Sequence, residues 1–119
     1  MNTNKIIETV VKAADDKKAL DIVVMDMKEV SGVSDAFIIM EAMNTRQIGA
    51  IVDNIVDKVE EEGIEVHHIE GNPNSGWVLI DLLDVVVSVF SHDERGFYNL
   101  EKLWSDAPFI DVSNMIGID

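Results

Sequence analysis

Gly76-Trp77-Val78-Leu79-Ile80-Asp81-Leu82-Leu83-Asp84-Val85-Val86-Val87-Ser88-Val89-Phe90 decides the fold of this chain. β-Branched and aromatic residues dominate it and no helical apolar spacing fits, so it reads as two strands joined by a tight turn. With Leu82-Leu83 as the two turn residues, Asp81 faces Asp84, Ile80 faces Val85, Leu79 faces Val86, Val78 faces Val87 and Trp77 faces Ser88. Side chains alternate across a strand, so this register sorts the hairpin into two unlike faces. One carries Val78, Ile80, Val85, Val87 and Val89 with nothing polar, and belongs against helices. The other mixes Trp77, Leu79, Val86 and Phe90 with Asp81, Asp84 and Ser88, as a recognition surface does. The plainer alternative is a core hairpin whose second face is covered by the chain's own tail.

Upstream of the hairpin the sequence alternates helix and strand signals. Ile6, Ile7, Val10, Val11 and Ala14 make one apolar stripe of a helix over roughly residues 3–18. Asp21–Met27 is apolar without a break at its centre, as a strand covered on both sides would be. Residues 30–35 are a connecting loop and Ala36–Met40 a second strand. Asn44-Thr45-Arg46-Gln47 resembles a capping box, and Ile48, Ile51, Val52, Ile55 and Val59 then share a helical face. Glu60-Glu61-Glu62 crowd that helix's C-terminus, where the macrodipole disfavours them, and Gly63 suits the residue just past its end. Glu65–Glu70 reads as a third strand, followed by the turn formers Gly71-Asn72-Pro73-Asn74-Ser75-Gly76.

Downstream, Ser91-His92-Asp93-Glu94 starts a final helix, with Ser91 or Asp93 as cap. Phe97, Leu100 and Trp104 share one of its faces, Tyr98 and Glu101 flank them, and Pro108 stops it. The tail Phe109–Asp119 is apolar enough to dock, at no position the sequence specifies. The expectation is one α/β domain with a mixed sheet of about five strands, spanning residues 1–108, with 109–119 as a C-terminal tail.

Composition narrows the function classes. The 119 residues hold one domain, and 47% are apolar without a run approaching a membrane span. The opening Met1–Lys5 shows no secretory pattern. Cysteine is absent, which excludes disulfides and thiolate metal sites and fits a cytoplasmic location. Nine Lys and Arg against 23 Asp and Glu give a formal charge of −14. Binding to phosphate backbones needs basic clusters, and none stands out. A basic protein partner fits the charge better, although the same charge also serves solubility.

Catalytic candidates are few. No Gly-rich phosphate loop, H-E-x-x-H, G-x-S-x-G or cysteine nucleophile is present. Asp81 and Asp84 could act as an acid/base pair or hold a hard cation, but Leu and Val flank them where a phosphate substrate needs basic groups. Adjacent His67 and His68 point to opposite faces of a strand and cannot share an ion. His92 and Arg95 suit capping and local ion pairing. The expectation is no catalytic residue, no metal and no cofactor.

Asp35-Ala36-Phe37-Ile38-Ile39, Thr45-Arg46-Gln47, Glu70-Gly71, Trp77-Val78-Leu79-Ile80-Asp81, Asp84-Val85-Val86-Val87 and Arg95–Pro108 together resemble the ribosomal silencing factor (Iojap-like) family. The likeness runs in unbroken order from about residue 5 to 108. Its most specific piece is Phe97-Tyr98-Asn99-Leu100-Glu101-Lys102-Leu103-Trp104. The resemblance implies a nucleotidyltransferase-like topology without the catalytic signature. It also implies binding to ribosomal protein L-fourteen of the large subunit, which blocks subunit joining and represses translation. The surface it implies lies on the sheet around the hairpin tryptophan, in agreement with the mixed face. The expected partner-binding residues are therefore Trp77, Leu79, Asp81, Asp84, Val86 and Ser88 of the hairpin, with Tyr98 of the next helix at the rim. Family members usually have Ser-Gly at Glu41-Ala42, Gly at Leu83 and often His at Ser88. A leucine at positive φ costs roughly 1 kcal/mol or more.

Two other classes compete with a steric inhibitor of subunit association. A phosphoryl-transfer enzyme needs a glycine-serine turn followed by spaced carboxylates, and Asp26, Asp35 and Glu41 lack that spacing. A dimeric adaptor without a ribosomal role is the third reading, and a homodimer away from the ribosome is compatible with the first.

Overall fold

Two amphipathic helices close one side of a sheet. The structure, a computed structural model, describes residues 3–28, 34–98, 108–112 and 115–116, with residues 97 and 98 by backbone alone. Helix α1 (Thr3–Asp16) buries Ile6, Ile7, Val10, Val11 and Ala14, the stripe its spacing predicts, and adds Ala13. Helix α2 (Thr45–Glu61) buries Ile48, Ile51, Ile55 and Val59. Each buried Ile or Val among them contributes about 1.5–3 kcal/mol on leaving water. Among the described residues no helix is long and apolar enough to cross a membrane.

Both ends of α2 are built locally. Asn44 Oδ1 accepts from the Gln47 amide at 2.8 Å. The Gln47 side chain reaches back one residue beyond the cap, accepting from the Met43 amide at 2.6 Å. Its Nε2 donates to the carbonyls of Lys17 and Lys18, which ties α2 to the end of α1. At the other end Gly63 takes φ 77°. The Gly63 amide donates to Glu60 O at 3.0 Å and the Ile64 amide to Val59 O at 2.8 Å, the paired bonds of a Schellman stop. Buried Val59 and Ile64 seal that end, and Lys5 of α1 relieves the acidic run by pairing with Glu62 at 3.0 Å.

The strands are β1 (Leu20–Asp26), β2 (Ala36–Ala42), β3 (His68–Asn72), β4 (Trp77–Asp81), β5 (Val85–Ser91) and β6 (Phe109–Ile110), and helix α3 (His92–Tyr98) follows β5. They form one six-stranded mixed sheet in the order β3-β4-β5-β2-β1-β6. Only β2 and β5 are parallel; the other pairs run antiparallel. The α/β class and mixed sheet are those expected. The sixth strand comes from the start of the tail, where Phe109 and Ile110 pair with Met25 and Val24 and Val112 is buried. The third strand lies later than its apolar pattern suggested, because Gly71 and Asn72 pair with Val78 and Trp77. Phe97 begins the predicted Phe97-Leu100-Trp104 stripe, whose side chains lie outside the described residues.

The hairpin departs from its expected register. Trp77 pairs with Phe90, Leu79 with Ser88, Ile80 with Val87 and Asp81 with Val86, so Leu82, Leu83 and Asp84 connect the strands and Asp81 does not face Asp84. In the two-residue turns that suit hairpins, the first central residue takes positive φ. Here only the second leucine, Leu83, does so, at φ 72°. The Leu82 amide instead donates to Val85 O at 2.9 Å, and the Leu82 side chain enters the core. The slip is by two positions, so the faces survive: Val78, Ile80, Val85, Val87 and Val89 are all buried in the helix-side core.

Gly71 sets how β3 meets the tryptophan strand. It sits at φ +81°, and a Cβ there would stand 2.3 Å from the Trp77 carbonyl oxygen. Gly71→Ala is expected to destabilise the protein by roughly 2 kcal/mol or more, read as a lowered thermal midpoint. An unchanged midpoint would mean that β3 does not need this close approach.

Candidate functional site

The second face of the sheet carries the candidate surface. Register puts Phe37 of β2 beside Val86 of β5, and Leu79 and Asp81 on the neighbouring strand β4. Near the turn these residues line a groove with Leu83 and Asp84. Trp77, Leu79, Asp81, Val86 and Phe37 are half-buried, and Leu83 and Asp84 are exposed. A second hollow, between Trp77, Leu79 and Glu70, continues the surface toward β3. Apolar area open to water and rimmed by acids is the make-up of a protein-binding patch.

What lies beneath is packed. Trp77 stacks on Phe90 with ring centroids 5.2 Å apart and planes 17° from parallel. Phe90, Met25, Met27 and Ile39 form a small buried cluster against which Val23, Phe37 and Trp77 rest. Such a stacked pair adds about 0.5–1.5 kcal/mol beyond its area. The tryptophan is therefore braced from below, with its remaining surface outward.

Of the residues expected at the surface, Trp77, Leu79, Asp81 and Val86 share this face and Asp84 stands at the turn. Ser88 is on the same face but only 3% exposed, under its neighbours. The side chain of Tyr98 lies outside the described residues. Phe37 and Leu83 were not among the expected residues. Phe37 has the right parity in its own strand, but only the β2–β5 pairing brings it to Val86.

The turn is fixed by polar contacts. Asp81 Oδ1 accepts from the Leu83 amide at 2.8 Å, and Ser34 Oγ donates to the Leu83 carbonyl at 3.1 Å. The Asp84 carbonyl accepts from the amides of Asp35 and Ala36 at 2.7 and 3.2 Å. Asp81 thus has a structural bond as well as a place on the surface. Among the described residues no three His, Asp or Glu side chains gather closely enough to hold a metal ion.

Glu41 stands at the other end of this face. It is 8% exposed, yet it is a carboxylate, and burial of such a charge requires partners. His92 Nδ1 lies 2.9 Å from its Oε2, and Arg95 Nη1 is 3.5 Å from its Oε1. Arg95 also donates to the Asp21 carbonyl at 2.8 Å. One buried acid thus joins α3 to β2, and Arg95 carries the link on to β1. Ser91 Oγ caps α3 by accepting from the Glu94 amide at 3.3 Å. The expected capping and ion-pairing roles of this segment hold, and Glu41 is the partner that the sequence did not disclose.

Comparison with known proteins shows what the chain is similar to. A family model described as "Ribosomal silencing factor during starvation" matches residues 1–118. A Bacillus subtilis protein named ribosomal silencing factor RsfS is 47% identical over 112 residues, covering 94% of this chain and 95% of that one. A crystal structure of a Bacillus halodurans protein superposes with a TM-score of 0.81 at 42% identity, over 92% of this chain and 99% of that chain. A Chromobacterium violaceum crystal structure gives 0.85 at 30% identity, over 88% of each chain.

The hydrogen bond that His92 donates to Glu41, and then the Glu41 charge, raise the His92 pKa above the ordinary 6.5. A pKa raised on folding stabilises in full below the unfolded value and ceases to do so as pH rises through the folded one. Glu41→Gln is expected to bring the His92 midpoint, followed by NMR, back down toward 6.5. A midpoint that does not move would remove Glu41 as the cause.

Proposed function

The chain belongs to the ribosomal silencing factor family, and on that premise we propose that it binds the large ribosomal subunit through ribosomal protein L-fourteen. Bound there it occupies the surface that the small subunit must approach, and so represses translation by steric exclusion. The role requires no turnover, metal or cofactor, and its place of action is the cytoplasm.

The observation that carries this reading is the open half of the sheet's second face. Trp77, Leu79, Phe37 and Val86 present apolar area there, with Asp81 and Asp84 at the turn. An aromatic braced on a second ring and rimmed by polar groups has the character of an interface anchor. A formal charge of −14 adds attraction toward a basic protein and repulsion from bare phosphate. The basic side chains are partly committed within the fold: Lys5, Lys12, Lys58 and Arg95 all lie in ion pairs with glutamates.

The test is co-sedimentation with isolated large subunits in sucrose gradients, with and without small subunits. The protein is expected to travel with the large subunit and to reduce the joined ribosome peak. Trp77→Ala should weaken that association by ~2 kcal/mol, roughly 30-fold in Kd. Retained affinity in a folded variant would refute the surface.

The paired change Asp81→Asn with Asp84→Asn keeps an amide oxygen to accept from Leu83 and removes two charges. Binding should weaken chiefly at low salt, because exposed charges are screened as ionic strength rises. A salt-independent loss would point to a disturbed turn instead.

A further inference from the structure

Leu83 is the one described residue on this face that combines backbone strain with an exposed apolar side chain. Its φ is 72°, a region that a leucine enters at a cost and that glycine or asparagine enters readily. The side chain is 52% exposed, so burial in the core does not repay that cost. Leu82, its neighbour, is 4% exposed and already fills the core beneath the turn. Nothing in the packing of the turn requires a second leucine.

The strain is nonetheless firmly held. Both backbone polar groups of Leu83 are engaged, the amide by Asp81 at 2.8 Å and the carbonyl by Ser34 at 3.1 Å. The flanking Asp84 carbonyl accepts from Asp35 at 2.7 Å. Strained positions that their surroundings over-determine in this way cluster where molecules bind. Held so, Leu83 extends the groove of Phe37, Leu79 and Val86 past the ends of the strands, between Asp81 and Asp84.

We propose that Leu83 is a pre-positioned apolar anchor of the partner surface, and that it receives the aliphatic stem of a lysine or arginine on a basic protein. Long basic side chains lay their methylenes along apolar surface while the charged head seeks a carboxylate. Leu83 supplies the surface and Asp84, exposed beside it, supplies the carboxylate. Leu83 then selects for a basic side chain of full length over a bare cation. The inference rests on the reading of this face as the large-subunit contact and names what one part of it recognises.

Three variants test it in equilibrium binding to isolated large subunits, with thermal melts of each. Leu83→Gly and Leu83→Asn accept positive φ and lack the apolar arm. Both are expected to melt at or above the temperature of the unsubstituted protein and to bind about tenfold more weakly. Leu83→Met keeps an apolar arm and is expected to bind within ~twofold of the original. Opposite movement of stability and affinity separates an anchor from a residue that merely supports the fold. Gly and Asn variants that bind as tightly as the original overturn the inference and leave the large-subunit reading standing. A sharp fall in their melting temperature also overturns it, by showing that Leu83 serves the fold. If the unsubstituted protein does not bind the subunit, that earlier reading fails and the inference falls with it.

Discussion

The structure depends on one constraint, the two-residue alternation of the β4–β5 hairpin between a sealed face and an open one. Five side chains, Val78, Ile80, Val85, Val87 and Val89, seal the helix side. Their burial against α1 and α2 is worth roughly 1.5–3 kcal/mol each, far more than any single turn preference. A slip of one residue would turn one strand's share of them toward water. A slip of two leaves the faces unchanged and alters only which residues meet. The strands could therefore settle their local pairing freely within the allowed parity, and they settled where Trp77 meets Phe90 instead of Ser88.

That freedom explains why the faces were legible in the sequence and the register was not. Parity is written in the alternation of Val and Ile with Trp, Leu and Asp. Register was decided by the connection, where Leu83 takes the positive φ and Leu82, the residue before it, is buried. The helices were legible for a similar reason: spacing and caps are local, and Asn44 and Gly63 do what their residue types favour. Strand order was not legible, because the parallel β2–β5 pairing joins segments separated by all of α2, β3 and β4. Phe37 entered the site only through that pairing. The two residues of β6 were too few to carry a pattern and owe their place to the exposed edge of β1.

Glu41 shows a second limit. In the sequence it is one of 23 acidic residues, notable only as a departure from the residue usual in the family, and nothing marks it as buried. What makes it different is its parity in β2, which turns it inward on the second face beside Phe90. A buried carboxylate is tolerable only when paired, and its partners come from the helix after β5. His92 and Arg95 therefore act as a clasp between α3 and the sheet. The net worth of such a clasp is modest, since desolvation offsets much of the attraction, but its geometry is specific.

Specific geometry at the Glu41 end bears on the open end of the same face. Trp77 lies between the two: its strand partner is Phe90, and Phe90 sits beside Glu41 across the β2–β5 pairing. α3 is held down at Glu41, and the turn is held by Ser34, Asp81 and the Asp35 amide. The exposed half of the face is thus framed by two sets of polar bonds that fix backbone, while its apolar side chains rest on a packed layer. A surface built in this way has little entropy left to lose on binding, and that loss is a main cost of forming an interface. The acids show the same economy. Asp81 fixes the turn and charges the rim at once, whereas Glu41 is spent wholly inside. On the proposed reading of this face, attraction toward a basic partner would fall to carboxylates such as Asp84, exposed at the turn.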